Sequence, residues 1–545
     1  MFIRIKTSGN YQYLQIVKNI REGTKVKQHI LGTLGRIDQI AGTQEIDSLI
    51  SKLARYSDEA LMVITGQSKI QASAFSIGPA MIFERLWKEL QLPAIIHQLV
   101  AKRKFGFDIE RAIFLTVLHR LFVSGSDRQC ERWKNSQHVD GVTKLSLQHL
   151  YRAMYFLGEE IEDQLGKTPF ADRCIKDVIE EKLFERRVDL FSGLSMVFFD
   201  TTSIYFEGDG GLETGSLGHS KDHRPDLHQM IVGVVLNEKG EPICCEFWPG
   251  NTADVSSLVP IVDRLRVRFG ITAFCIVADR GMISEGTIQK LEKRKISYIL
   301  GARIRKQKVI REEVLTRAGR FEEVRVESEQ DDHDPLKVKE VWEDGKRYII
   351  CKNERQARKD EATRNAILEL LEEKLHSGAK SLIGNKGFKK YLVVKKNSVT
   401  IDKKKIEEEK RFDGKWVLTT NTDRPASEIA LQYKELWMVE YVFRDMKSIL
   451  ETRPVYHQLD ETIKGHVFCS FLALVLRKEL DKRLEAYKLE LEWNDMKRDL
   501  LLLQEVVLDE SKNRKVVIRT APQGTCSGVF RAVGVALPPT IREIA

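Results

Sequence analysis

The chain has 545 residues, with 88 Lys or Arg against 79 Asp or Glu and a formal charge of +9. Length alone favours three or four domains over one core. The longest strongly apolar run, Val467 to Leu476, is far short of the roughly 20 residues that span a bilayer, and Met1-Phe-Ile-Arg-Ile-Lys lacks a signal-peptide core, which argues against a membrane or secreted protein. Eight cysteines without a C-x-x-C pair point to a reduced cytoplasmic chain.

Residues 1–60 are expected to form a small basic β module. Tyr11-Gln-Tyr-Leu-Gln-Ile-Val and Lys25-Val-Lys-Gln-His-Ile-Leu alternate around Arg21-Glu-Gly-Thr, the signature of a hairpin. Residues 1–36 carry seven Lys or Arg against the single acid Glu22, which reads as a surface for DNA phosphates or as a solvated basic face. Residues 61–190 turn to helical spacing, as in Ile109 to Phe122 and Leu147 to Leu157, with a break at Ser124-Gly-Ser-Asp. Such spacing reads as plain core ahead of a helix-turn-helix.

Residues 191–301 alternate in a definite order. Strands are predicted to Phe199, over Met230–Leu236 and over Pro242–Phe247, then a helix over Val255–Arg268. A strand to Ala278, a helix over Glu285–Lys293 and a strand over Tyr298–Gly301 complete the series. Three strands followed by alternating helices and strands is the order of a ribonuclease-H-like α/β domain. Residues 302–415 carry 30 basic and 23 acidic residues, with strand-like stretches at Lys337–Ile350 and Lys389–Lys396. They are expected to form a β-rich insertion, after which Trp416-Val-Leu-Thr-Thr resumes the catalytic domain to about residue 480. Residues 481–545 read as a helical, then irregular tail with a possible role in assembly.

Chemistry concentrates on three acids. Asp200 and Asp279 each end an apolar β-like run, Ser195-Met-Val-Phe-Phe and Phe274-Cys-Ile-Val-Ala. At ~100° per residue, a helix from Tyr433 to Lys447 would carry Tyr433, Trp437, Glu440, Arg444 and Lys447 on one face. Leu431, Met438, Val442, Met446 and Ile449 would lie opposite. Three carboxylates from two strand ends and one helix make an oxygen-ligand site for two hard cations, Mg²⁺ with Mn²⁺ as substitute. Either Asp alone also reads as an acid marking a strand's exit into solvent; the trio favours the site. Lys221 and Arg224 sit in a Gly-rich loop, as phosphate clamps or as solvated loop residues. Asp254 reads as a helix cap in preference to a ligand. His219, His223 and His228 lack the partners of a zinc site.

In order and spacing, these pieces resemble an insertion-sequence transposase of the DDE superfamily, in the group with a Tyr-x2-Arg-x3-Glu-x6-Lys signature. Tyr433, Glu440 and Lys447 fall at its spacing, but Leu436 occupies the Arg position, for which Arg444 is the nearest substitute on the Glu440 face. Matching stretches are Phe199-Asp200-Thr-Thr, Gly218-His-Ser-Lys221-Asp-His-Arg224-Pro-Asp226, Gly250-Asn-Thr-Ala-Asp254, Ala278-Asp279-Arg280-Gly281 and Arg453-Pro-Val-Tyr456-His457. The resemblance covers roughly residues 1–480. It implies a two-metal enzyme, with Asp200, Asp279 and Glu440 as catalytic metal ligands, that binds terminal inverted repeats of double-stranded DNA, cuts them through hairpin ends and joins them to target DNA. It further implies DNA contacts by Tyr433, Arg444, Lys447, Arg280, Lys221 and Arg224, and a homodimer acting at the nucleoid. Trp342, the single Trp of 301–415, would stack on a flipped base or serve as a partial core residue. A ribonuclease-H-like nuclease without strand transfer shares this chemistry. A catalytically silent DNA-binding regulator is the third reading, against which the intact acids argue.

Overall fold

The computed structural model describes residues 2–22, 25–40, 71–168, 171–187, 194–324, 335–377, 390–395, 398–449, 452–510 and 514–544. Parts of the expected N-terminal module, helical domain and insertion therefore lie outside the described residues. The chain divides into two compact units. One comprises Met1–Glu160, Cys174–Leu183 and Asp445–Ala545, the other Ile161–Arg173 and Phe184–Arg444.

The second unit is built on a nine-stranded mixed sheet. Its strands are β1 (Met196–Tyr205), β2 (Gln229–Asn237), β3 (Pro242–Pro249), β4 (Cys275–Ala278), β5 (Ser297–Gly301), β6 (Glu322–Val324), β7 (Leu336–Glu343), β8 (Lys346–Lys352) and β9 (Lys415–Thr420). The spatial order is β6-β7-β8-β9-β5-β4-β1-β2-β3. β1, β2 and β3 pair antiparallel, while β4 lies parallel to β1 and β5 parallel to β4. Order 3-2-1-4-5 with that mixture of directions is the ribonuclease-H-like topology expected from the sequence.

Two parallel pairings require crossovers, supplied by helices α1 (Asp254–Phe269) and α2 (Glu285–Lys293). Both bury apolar residues on one face of the sheet, where Leu258, Ile261, Leu265, Ile288 and Leu291 meet Val197, Phe199, Ile276 and Ala278. The opposite face receives two later helices, α3 (Ala426–Lys434) and α4 (Trp437–Arg444): α3 packs on β4, β5, β7 and β8, and α4 on β1 and β2.

The charged segment after β5 contributes β6, β7 and β8 to this same sheet. Its charges do not prevent this: Leu336, Val338 and Val341 of β7 are buried, while Lys337, Lys339, Glu340 and Trp342 are partly or fully exposed. A separate core of Ile310, Val314, Val341, Tyr348, Ile350, Phe412 and Val417 lies here. Of the predicted strand Lys389–Lys396, Leu392–Lys395 is observed, paired with Ser398–Ile401; Lys389 and Lys396 fall outside the described residues.

In the first unit, Phe2–Ser8, Tyr11–Glu22 and Lys25–Arg36 form a three-stranded antiparallel sheet, one strand more than the predicted hairpin. Helices Gly78–Glu89, Ile109–Phe122 and Leu147–Gly158 pack on the long helix Asp460–Ala486. Glycines permit the closest crossing: a Cβ on Gly465 would lie 1.9 Å from the Met154 carbonyl oxygen, and one on Gly158 2.0 Å from that of Glu461. The stretch expected to end as an irregular tail is instead folded. Gln504–Glu510, Arg514–Arg519 and Ile541–Ile544 make a sheet with Gln71–Ser76, a pairing more than 400 residues apart that no local pattern reveals.

Candidate active site

β1 and β4 run parallel with Phe199 opposite Ala278, so the next residues, Asp200 within β1 and Asp279 just past the end of β4, come side by side. Side chains alternate along a strand, which turns Asp200 away from the face that holds Phe199 and toward the face on which α4 packs. The predicted strand stopped at Phe199, whereas β1 continues to Tyr205, buried almost throughout. Asp200 is therefore a carboxylate held within a strand, its side chain 19 % exposed.

Burial pushes the Asp200 carboxyl up to about 6, further raised by Asp279 and Asp254 and opposed by the Lys221 ammonium and the Thr201 N–H. That N–H donates to Asp200 Oδ1 at 2.7 Å. Lys221 Nζ lies 4.0 Å from Asp200 Oδ1 and 3.2 Å from Asp254 Oδ2, and donates to the Thr201 carbonyl at 2.7 Å. The Thr201 hydroxyl donates to Asp254 Oδ1 at 2.6 Å. Asp254 was predicted as a helix cap. The N-cap of α1 is Ala253 and Asp254 makes no capping bond, because its carboxylate is turned to Thr201 and Lys221. It is the acid that sequence reasoning left out of the site, although Gly250-Asn-Thr-Ala-Asp254 stood among the recognised stretches.

Asp279 Oδ1 accepts a 3.0 Å bond from the Tyr433 hydroxyl, and burial together with that carboxylate raises the phenol's pKa. Gly301 makes this approach possible, since a Cβ there would stand 2.3 Å from the Tyr433 oxygen. Tyr433, Asp279, Glu440, Asp254, Lys221 and Arg280 line one cleft of about 1040 Å³, whose walls also hold Arg303, Arg305, Lys306 and Lys415. The Arg303 guanidinium donates to the carbonyls of Arg280 and Gly281, fixing the turn after Asp279.

The single helix predicted from Tyr433 to Lys447 is broken. α3 ends at Lys434, and the next turn is drawn tight by i to i+3 bonds from Leu436 N to Tyr433 O, Met438 N to Glu435 O and Val439 N to Leu436 O. The tightening rotates α4 relative to α3. Leu436, at the family's Arg position, is 6 % exposed, while Trp437, Glu440 and Arg444 face outward. An apolar side chain gains by this turn inward. Beyond Arg444 the chain enters a π-helical turn, Asp445–Ile449, which carries Lys447 and belongs to the first unit.

The remaining predicted contacts are placed as follows. Arg444 lies over the Tyr441 ring at 5.2 Å. Arg224 is exposed and forks onto Asp226 at 3.0 and 2.8 Å. Trp342 is 58 % exposed on β7, bonded to Glu340, and is not among the residues lining the cleft. His228 faces Asp209, and His219, His223 and His228 form no described metal-ligand triad.

His219 also lines the cleft, but the acids Asp254, Asp279 and Glu440 dominate its possible donors, and carboxylate oxygens suit a hard divalent cation. Mutual repulsion and burial at Asp200 are what such an ion offsets, so the residues fit one. Asp200, Asp279 and Glu440 are not a described triad whose ligand atoms lie within 4.8 Å of one another. The surrounding Lys and Arg residues suit a polyanion.

Residues 192–476 match the family model of the transposase DDE domain, and residues 3–68 match that of the N-terminal domain of IS1634 family transposases. The chain belongs to the DDE-domain family of insertion-sequence transposases. No curated protein matches it. Among solved structures, it is similar to a piggyBac transposase synaptic complex with hairpin DNA, at 10 % identity and a TM-score of 0.38, over 78 % of this chain and 79 % of the other. Among the described residues no helix is long and apolar enough to cross a membrane.

Two outcomes are expected. Leu436→Arg drives a cation into a buried position and should destabilise the fold by roughly 2–4 kcal/mol in urea denaturation; unchanged stability would place Leu436 on an open face. For Asp200, a raised folded pKa means that the metal-free fold loses stability as pH rises from about 3.8 to about 6. Asp200→Asn should therefore stabilise the metal-free protein by up to roughly 3 kcal/mol at pH 7.5 and by little near pH 4. An equal gain at both pH values would contradict that origin.

Proposed function

We propose that this protein is an active DNA transposase that binds terminal inverted repeats, cuts the element ends by metal-dependent phosphodiester hydrolysis and transesterification through hairpin ends, and joins them to target DNA. The observation that carries this reading is the cleft in which Asp279 and Glu440 open among Lys and Arg side chains, one of which, Lys221, also stands 4.0 Å from Asp200.

Asp200, Asp279 and Glu440 would hold two Mg²⁺ ions, for which Mn²⁺ substitutes. Bound there, the ions would activate the attacking oxygen and stabilise the leaving one. The chain's own residues do the rest. The Tyr433 hydroxyl holds Asp279 by one oxygen and leaves the other for a ligand. Lys221, held by Thr201 and Asp254, supplies a positive charge beside Asp200. Arg280 and Arg444, with Lys447 and Arg224, serve as phosphate contacts that position the strand, and Trp342 as an exposed aromatic for a flipped base.

The domain roles follow the expected division. Residues 1–60 bind DNA through their basic excess, 191–301 with 416–480 carry the catalysis, 302–415 the insertion, and 481–545 take part in assembly. The active complex is a homodimer on nucleoid DNA.

Asp200→Ala, Asp279→Ala and Glu440→Ala are each expected to lower strand nicking in Mg²⁺ by at least about a thousandfold while leaving a gel shift with inverted-repeat DNA measurable. Wild-type nicking by any one variant removes that residue from the site. Nicking without joined products would favour a nuclease over a transposase.

A further inference from the structure

A second cleft lies wholly within the first unit and is not part of the acidic site. It has a volume of about 730 Å³, enough for a nucleotide, and is formed by the end of helix Ile109–Phe122, the segment Gly125–Arg128, Tyr151 of helix Leu147–Gly158, the segment Arg453–Leu459 and the first turns of helix Asp460–Ala486. At its base Arg120 is 1 % exposed. Its Nη2 bonds His466 Nδ1 at 2.8 Å and lies 3.6 Å from Asp127 Oδ1, but its Nε and Nη1 have no hydrogen-bond partner among the described residues. A buried guanidinium with two unmade bonds is costly, and an incoming acceptor would complete it.

The rim repeats the sign of the base. Arg128 and Arg453 line the cleft, and its one carboxylate, Asp127, is already engaged by His457 Nε2 at 3.2 Å and by Arg120. Three guanidinium groups and one paired carboxylate thus line the cleft. Tyr456, at its mouth, is 65 % exposed, and Tyr151 beside it is 38 % exposed.

Asp127, His457 and His466 also bring ligand atoms within 4.8 Å of one another, as a metal site does. The bonding argues otherwise. Both ring nitrogens of His466 are taken, Nδ1 by Arg120 and Nε2 by the Thr452 carbonyl at 3.2 Å, and a fixed guanidinium opposes a second cation.

We infer that this cleft binds one nucleotide of DNA outside the duplex, its phosphate on Arg128, Arg453 and Arg120 and its unpaired base stacked on Tyr456. Stacking on an aromatic ring tolerates any base and is worth roughly 1–3 kcal/mol, so the cleft would recognise an unpaired end and not its sequence. The inference rests on the DNA-binding reading above and adds to it a subsite whose lining includes none of the catalytic acids.

The test uses the full chain and two labelled duplexes of inverted-repeat sequence, one fully paired and one ending in an unpaired 2-aminopurine. Tyr456→Ala is expected to weaken binding of the unpaired end by about 10-fold or more and to abolish the quenching of 2-aminopurine, with less than about a twofold effect on the paired duplex; Tyr456→Phe should behave as wild type. Arg128→Ala should weaken both and lower the slope of log affinity against log salt by about one. Both side chains are exposed, so neither change should impair folding. Wild-type affinity and quenching in Tyr456→Ala overturn the subsite while leaving DNA binding intact, as does an equal loss on both duplexes. Competition by inorganic phosphate as effective as by the unpaired strand overturns the nucleotide, and tight Zn²⁺ binding lost in His457→Ala overturns it in favour of a metal. Failure of the wild-type chain to bind either duplex overturns both this inference and the DNA-binding reading.

Discussion

The site depends on one register. Phe199 pairs with Ala278 across two parallel strands, and this alone sets the Asp200 and Asp279 carboxylates beside each other at the sheet. Neighbouring strands lie about 4.8 Å apart, so like charges so placed repel, and burial of Asp200 strengthens the repulsion. The surrounding structure offsets it piece by piece: the Thr201 N–H on Asp200, the Tyr433 hydroxyl on Asp279, and Lys221 between Asp200 and Asp254. A fold that holds carboxylates in this opposition is suited to a divalent cation, and the affinity for one comes from relief of the same repulsion.

The helices extend this constraint. α1 and α2 bury the far face of the sheet, leaving the near face to α3 and α4, so Tyr433 and Glu440 arrive on the side toward which Asp200 points. Gly301 allows Tyr433 its approach, and the tight turn after Lys434 decides which residues of α4 face the cleft. The basic segment after β5, with Arg303, Arg305 and Lys306, adds cations to a wall that a purely apolar crossover could not supply.

Much of this was legible in the sequence. Apolar runs ending in Asp200 and Asp279 gave the parallel strands, and period-3.6 spacing gave α1 and α2 to within a residue or so, because those elements bury a continuous face. Local patterns failed where distant partners decide. Asp254 looked like a cap because nothing nearby announces Thr201 or Lys221. The Leu436 turn looked helical because 3₁₀ tightening leaves the apolar spacing nearly unchanged. The strands after Leu503 looked irregular because their partner is Gln71–Ser76. The strand character of Lys337–Ile350 was legible, but its charge hid that β7 and β8 join the catalytic sheet, where their buried residues make a core.

The central claim, that Asp200, Asp279 and Glu440 converge on one divalent-metal site, is tested most directly by putting Fe²⁺ in place of Mg²⁺ and adding ascorbate and peroxide, so that radicals released at the metal cut the chain beside it. The account predicts cuts near residues 200, 279 and 440, all suppressed together by excess Mg²⁺. Cuts clustered elsewhere, or cuts that excess Mg²⁺ leaves unchanged, would contradict it.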